Sequence, residues 1–157
     1  MAERFAPPPT PGTYALILTC DGSDSLAIGR LGDMRLRPGY YVYIGSACGP
    51  GGLRARIGHH QRTAGRPRWH IDYLRARAPI SAAWYCCGRR CEHEWAARIA
   101  AMPGAVSALP GFGSSDCACE THLYWFEVCP SAVEVRRALG AEALEHPGVG
   151  ERQEKRP

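Results

Sequence analysis

The run Tyr40-Tyr41-Val42-Tyr43-Ile44-Gly45 leaves the backbone little choice. Aromatic and β-branched side chains lose rotamer freedom against a helical turn and pack well on a pleated surface, so the run reads as a β-strand. Arg37-Pro38-Gly39 makes the turn that opens it, and Gly49-Pro50-Gly51-Gly52 breaks the chain just after it. Upstream, Gly12 opens a second β-type run, Thr13-Tyr14-Ala15-Leu16-Ile17-Leu18-Thr19-Cys20. Asp21-Gly22-Ser23-Asp24 is a turn signal, and Ser25 to Leu31 reads as the returning strand of a hairpin.

Beyond the glycine break the period changes. Leu53 and Ile57, four apart, mark an amphipathic helix, and Ile71 to Arg75 a second, shorter one after the turn at Gly65-Arg66-Pro67. Ile80 to Cys87 is a further strand, and Cys91 to Met102 a helix stopped by Met102-Pro103-Gly104. The loop Gly111-Phe112-Gly113-Ser114-Ser115-Asp116 leads to a strand over His122–Val128, and Pro130 precedes a last helix, Ser131 to Leu139. Strands and helices alternate irregularly, with hairpins early. The fold class expected is therefore α/β in the α+β sense: a small mixed, mainly antiparallel β-sheet flanked by helices, with an added N-terminal hairpin. Residues 1–11 read as a disordered Pro-rich arm, 12–140 as a single domain and 141–157 as a polar tail.

Composition excludes some classes. The 157 residues suit one domain, and 45% hydrophobic with 22% charged is ordinary for a globular protein. No apolar run approaches the roughly 20 residues that cross a bilayer, and residues 1–11 lack a secretory signal, so no membrane role and a cytoplasmic location are expected. The net charge of +4 is modest but unevenly spread. Arg54, Arg56, Arg62, Arg66, Arg68, Arg75 and Arg77 crowd one stretch with His59, His60 and His70, opposed only by Asp72. Such a segment suits a polyanion, because each phosphate contact releases condensed counterions. A solvated helix face is the alternative in a chain whose only lysine is Lys155.

Three pieces then fall in an informative order: Gly12-Thr13-Tyr14, Tyr43-Ile44-Gly45, and a helix bearing Arg56 and His60 at i and i+4. The last two share a helix face, from which a guanidinium can fork onto phosphate oxygens. Gly-x-Tyr, Tyr-Ile-Gly, then Leu-x-x-Arg-Ile-x-x-His resembles the GIY-YIG nuclease superfamily. The likeness is strongest to an uncharacterised branch sometimes fused to DNA glycosylases of the endonuclease III type. That branch resembles this chain at Gly39–Ala47, Trp69–Leu74 and Phe112–Cys117.

The resemblance implies a metal-dependent endonuclease hydrolysing DNA phosphodiester bonds, in repair or recombination. Tyr14 matches the tyrosine of the first motif, Tyr43 that of the second, Arg56 the helix arginine and His60 the histidine one turn later. Glu94 matches the later glutamate that binds one divalent cation, Mg²⁺ or Mn²⁺, with Glu92 as the alternative. Either tyrosine could serve as general base; with an ordinary pKa of about 10, it needs nearby positive charge to act. Arg54, Arg62, Arg66, Arg68, Trp69 and His70 form the expected nucleic-acid rim, with DNA ahead of RNA and a repair protein as a further partner. A catalytically silent nucleic-acid-binding module of the same fold is the alternative reading. Each residue taken singly has a plainer one: sheet packing for Tyr43, a solvated helix for Arg56 and Glu94, and helix packing for Trp69 with Tyr73. The chain departs from the usual pattern in Thr13, in the longer spacer between Tyr14 and Tyr43, in the Gly49–Gly52 insertion, and in the lack of an obvious match to a late asparagine, in whose region Asp116 and His122 fall.

Eight cysteines are many for a cytosolic chain. Without an export signal, reduced thiols or a metal are more natural than a disulfide framework. Cys87 and Cys91, with Cys117, Cys119 and His122, could supply four soft ligands to a structural Zn²⁺, although buried free thiols are the commoner outcome. His93 falls in the same region.

Overall fold

The computed structural model describes residues 7–62, 65–115 and 117–146; residues 1–6, 63–64, 116 and 147–157 lie outside the described residues. The elements are β1 (Gly12–Cys20), β2 (Ser25–Ile28), β3 (Gly32–Arg35), β4 (Gly39–Ala47), α1 (Gly52–Gln61), α2 (His70–Arg75), β5 (Ile80–Cys87), α3 (Glu92–Ala100), β6 (Val106–Ser107), β7 (Leu123–Phe126), α4 (Ala132–Leu139) and β8 (Leu144–Glu145). Six strands form one sheet in the order β6-β7-β4-β1-β5-β8, with antiparallel pairings. The expected α+β class holds.

Period-two alternation divides the core between the two faces of this sheet. Tyr14, Leu16, Leu18, Tyr41 and Tyr43 face one side and pack against Leu53, Ile57, Ile71 and Leu74 of α1 and α2. Ala15, Ile17, Val42, Ile44 and Trp84 face the other, against Trp95, Ile99, Val135 and Leu139 of α3 and α4. The sheet is thus sandwiched between two helical layers, and both core strands, β1 and β4, are buried on both faces.

The early hairpin differs from expectation. Ser25–Ile28 does not return along β1; it pairs with Gly32–Arg35 in a separate two-stranded sheet. The edges of β1 are taken by β4 and β5. β1 is apolar on both faces, whereas β2 offers a mainly exposed pattern with only Ile28 fully buried, which suits a peripheral ribbon over α2.

Both ends of the domain extend further than expected. Pro7–Pro11 is tied down rather than disordered: Leu53 N donates to Thr10 O at 2.8 Å, Arg54 N to Pro8 O at 3.1 Å, and Gly88 N to Pro11 O at 2.7 Å. Helix α1 starts after Gly51 with no side-chain cap, so carbonyls of the arm satisfy its orphan N–H groups. Proline lacks a donor but keeps its acceptor, which suits this role. At the other end β8 pairs with Trp84 and Tyr85, and His146 N donates to Ala83 O at 2.8 Å. Among the described residues, no helix is long and apolar enough to cross a membrane.

Candidate functional site

Tyr14 of β1 and Gly45 of β4 are direct cross-strand partners. The tyrosine ring folds across the glycine so closely that a Cβ there would sit 2.5 Å from both Cζ and Oη. The second motif therefore ends in glycine to admit the ring of the first. Tyr43, two residues earlier on the same face, places its ring centroid 6.2 Å from that of Tyr14. Helix α1 lies over this face and drops His60 between them, its ring 5.4 Å from Tyr14 and 6.3 Å from Tyr43. The Tyr14 hydroxyl and His60 Nε2 are 2.7 Å apart.

Burial governs the charges here. Desolvation holds His60 neutral, with its pKa brought down to about 3 despite the nearby Asp72 carboxylate. It also raises Tyr14 well above the ordinary phenol range, helped by Tyr43 and opposed by the Arg56 charge. Tyr43 is pushed up to about 12, again by burial first, with Arg56 pulling down and Glu92 pushing up. Tyr43 is 8% exposed and Tyr14 only 1%, so Tyr43 is the phenol nearer the surface.

Arg56, one turn before His60, donates from Nη1 to Ser46 O at 2.8 Å, and its guanidinium carbon lies 4.3 Å from the Trp69 ring centroid. These contacts hold the planar fork beside the end of β4. Arg56, His59, Arg62, Arg68 and Trp69, with the Gly49–Gly52 turn, line a groove of about 380 Å³. Asp72 braces its floor: Oδ2 accepts from Arg68 N at 2.8 Å and Trp69 N at 3.1 Å, while Oδ1 lies 3.1 Å from His59 Nε2 and 3.9 Å from His60 Nδ1.

The two acids of α3 separate sharply. Glu94 is 45% exposed and is engaged by Arg98 and, at 4.0 Å, by Arg89, away from the phenols. Glu92 is partly buried, and its field reaches Tyr43 and His122. Glu94, the acid preferred from sequence, thus lies on the outer side of the helix: α3 rotates by about 200° over two residues, so the two acids do not share a face. Thr13 sets the start of α3. Its hydroxyl donates to Arg89 O at 2.8 Å and accepts from Cys91 N at 3.0 Å, so the threonine at this position binds the loop ahead of Glu92.

Residues 13–143 match the family described as Domain of unknown function DUF123. The chain belongs to the DUF123 family. No curated protein and no solved structure matches the DUF123 chain significantly.

The remaining basic residues of the DUF123 chain divide by role. Arg62, Arg66 and Arg68 are exposed. Arg54 donates from Nε to Pro7 O at 2.9 Å, and Arg75 is buried, donating to His60 O at 2.5 Å and Ala78 O at 2.7 Å. Arg77 pairs with Asp24 at 2.7 Å. The Trp69 ring carries the Arg56 and Arg68 guanidiniums, and Trp69 also packs on the core. His70 Nδ1 accepts from Gly113 N at 2.9 Å and so anchors a loop. Cys91 is buried in the α3–α4 core and Cys87 is exposed, and neither joins Cys117 and Cys119 in one ligand cluster. The bracing roles of Asp72 and His59 were not read from sequence; the Asp72–Trp69 spacing at the start of α2 was the available signal.

Proposed function

We propose that this DUF123 domain is a GIY-YIG-type endonuclease that hydrolyses DNA phosphodiesters with one divalent cation, Mg²⁺ or Mn²⁺, in repair or recombination. The reading rests on one observation: Tyr14 from β1, Tyr43 from β4, and Arg56 with His60 from α1 converge beside a basic groove. Nothing in sheet packing alone requires a guanidinium at the rim of two buried phenols.

The donor chemistry fits the cation. Glu92 supplies a single hard carboxylate whose field reaches Tyr43, whereas the oxygens of Asp72 are committed to backbone amides and His59. A hard cation held by one carboxylate keeps several waters, and there it would polarise a phosphate oxygen. The chain's own residues do the rest. Arg56, held by Ser46 O, neutralises charge growing on the phosphorane oxygens. Tyr43, the more exposed phenol, takes the proton of the attacking water when it is ionised to the phenolate, and Tyr14 with His60 holds the ring layer behind it. Arg62 and Arg68 hold the flanking backbone.

Purified chain incubated with nicked, branched and single-stranded DNA plus Mg²⁺ or Mn²⁺ should cut at least one substrate. Arg56→Ala should lower the rate about 10²- to 10³-fold, the usual cost of one charge-stabilising donor. Cutting that survives Arg56→Ala undiminished would count against the site. A second reading, a silent nucleic-acid-binding module, is favoured by the buried, proton-holding phenols. It calls for salt-sensitive DNA binding indifferent to divalent metal, with no cleavage of any substrate.

A further inference from the structure

Where α3 meets the loop before β7, a different set of side chains gathers. His93 of α3, Cys117 and Cys119 of the loop before β7, and His122 at the mouth of β7 each bring one ligand atom within 4.8 Å of all the others. Cys117 Sγ stands 3.5 Å from His122 Nε2, and the two imidazole centroids are 6.0 Å apart. Zinc bonds of about 2.3 Å to sulfur and about 2.0 Å to nitrogen place neighbouring S and N ligands of a tetrahedron about 3.6 Å apart. The sulfur–nitrogen edge is already at that length.

We propose that His93, Cys117, Cys119 and His122 form a structural zinc site. Two thiolates and two neutral imidazoles cancel the 2+ charge, and on binding the two thiol protons leave to solvent. Four protein ligands fill the tetrahedron and leave no position for water or substrate, which marks a structural rather than a catalytic ion. Sulfur ligands select zinc over the hard cations that a lone carboxylate would take. This set keeps the expected Cys117, Cys119 and His122, and His93 stands in place of Cys87 and Cys91.

The location gives the ion a task. Residues 108–122 connect β6 to β7 with no helix or strand of their own among those described, an unusual length for an unsupported connection. Phe112, fully buried, and the His70–Gly113 hydrogen bond hold its first part. The cysteines belong to the second part, where the ion would tie it to α3 one residue from Glu92. Gly113 and His122 also touch behind Tyr43: a Cβ on Gly113 would lie 3.0 Å from Tyr43 Cε1 and 3.4 Å from His122 Cβ. The staple therefore fixes α3 and the loop around Tyr43, whether or not the chain cuts DNA.

The test is metal content. Protein purified without chelator should hold one zinc per chain by plasma mass spectrometry. Chelator-stripped wild type titrated with Co²⁺ should give thiolate charge-transfer absorption and the intense visible bands of a tetrahedral site, saturating at one equivalent. Cys117→Ser and Cys119→Ser should each lose bound zinc and the charge-transfer band, while Cys87→Ser keeps both. The cobalt spectrum of the wild type needs no variant to fold. Folded wild type that holds no zinc and gives no charge-transfer band with Co²⁺ would overturn the proposal. So would full zinc content in the Cys117→Ser/Cys119→Ser double variant, or a Cys117–Cys119 disulfide in protein purified under reductant.

Discussion

The Tyr14 hydroxyl meets His60 Nε2 at 2.7 Å inside the protein, and the burial of that pair dictates a neutral imidazole. An unfolded histidine takes up a proton below about pH 6.5, whereas His60 in the folded protein resists until about 3. Between those values the unfolded state binds more protons, so stability is complete above the upper value and falls as pH drops. The loss from this one group is about 1.4 kcal/mol per pH unit, hence on the order of 2 kcal/mol by pH 5. His70, also lowered by burial, adds in the same direction. Urea melts at pH 5 and 7.5 should show a clearly smaller pH dependence in His60→Gln. An unchanged difference would mean that His60 titrates freely.

Gly45→Ala should destabilise the domain by about 1–3 kcal/mol, because its Cβ lands on the Tyr14 ring inside a packed core. The cost should shrink when Tyr14 is Leu, since the clash is with the outer ring atoms. Additive losses in that double-mutant cycle would show that the two residues do not meet.

Thr13→Val keeps the β-branched shape but strands the Cys91 N–H in a buried setting. The expected loss is about 1–3 kcal/mol by chemical denaturation. If cleavage is present, it should fall too, because the same hydroxyl holds the entry to α3. A fully stable Thr13→Val would remove threonine from that account.

The two α3 acids should behave oppositely. Glu92→Gln should abolish metal-dependent cleavage, while Glu94→Gln should keep it and change stability by less than about 1 kcal/mol, the range of exposed ion pairs. Cleavage lost in Glu94→Gln and kept in Glu92→Gln would reverse the assignment.

With Tyr43 pushed up to about 12, only a small fraction is ionised near neutrality. If this phenol is the base, the cleavage rate should climb about tenfold per pH unit from 7 to 9. Tyr43→Phe should remove both the rate and the slope. A residual rate with the same slope would assign the base elsewhere.

Local chemistry made most of the elements legible. The aromatic strand at 40–45, the strand at Ile80–Cys87, and the helices opened by Gly52 and Ser131 follow from side-chain shape, period and caps, which act over a few residues. The order Gly12–Tyr14, Tyr43–Gly45, Arg56–His60 could likewise be read, since β1 and β4 are nine-residue strands rich in aliphatic and aromatic residues and α1 follows a glycine break. Partner choice could not. That β2 pairs with β3 instead of β1, that the field of Glu92 reaches Tyr43 while Glu94 pairs with Arg98, and that His93 rather than Cys87 or Cys91 gathers with Cys117, Cys119 and His122 all depend on which surfaces meet across the sheet. Those choices are made by burial and by rotation about an axis, two quantities that arise only when distant segments pack together.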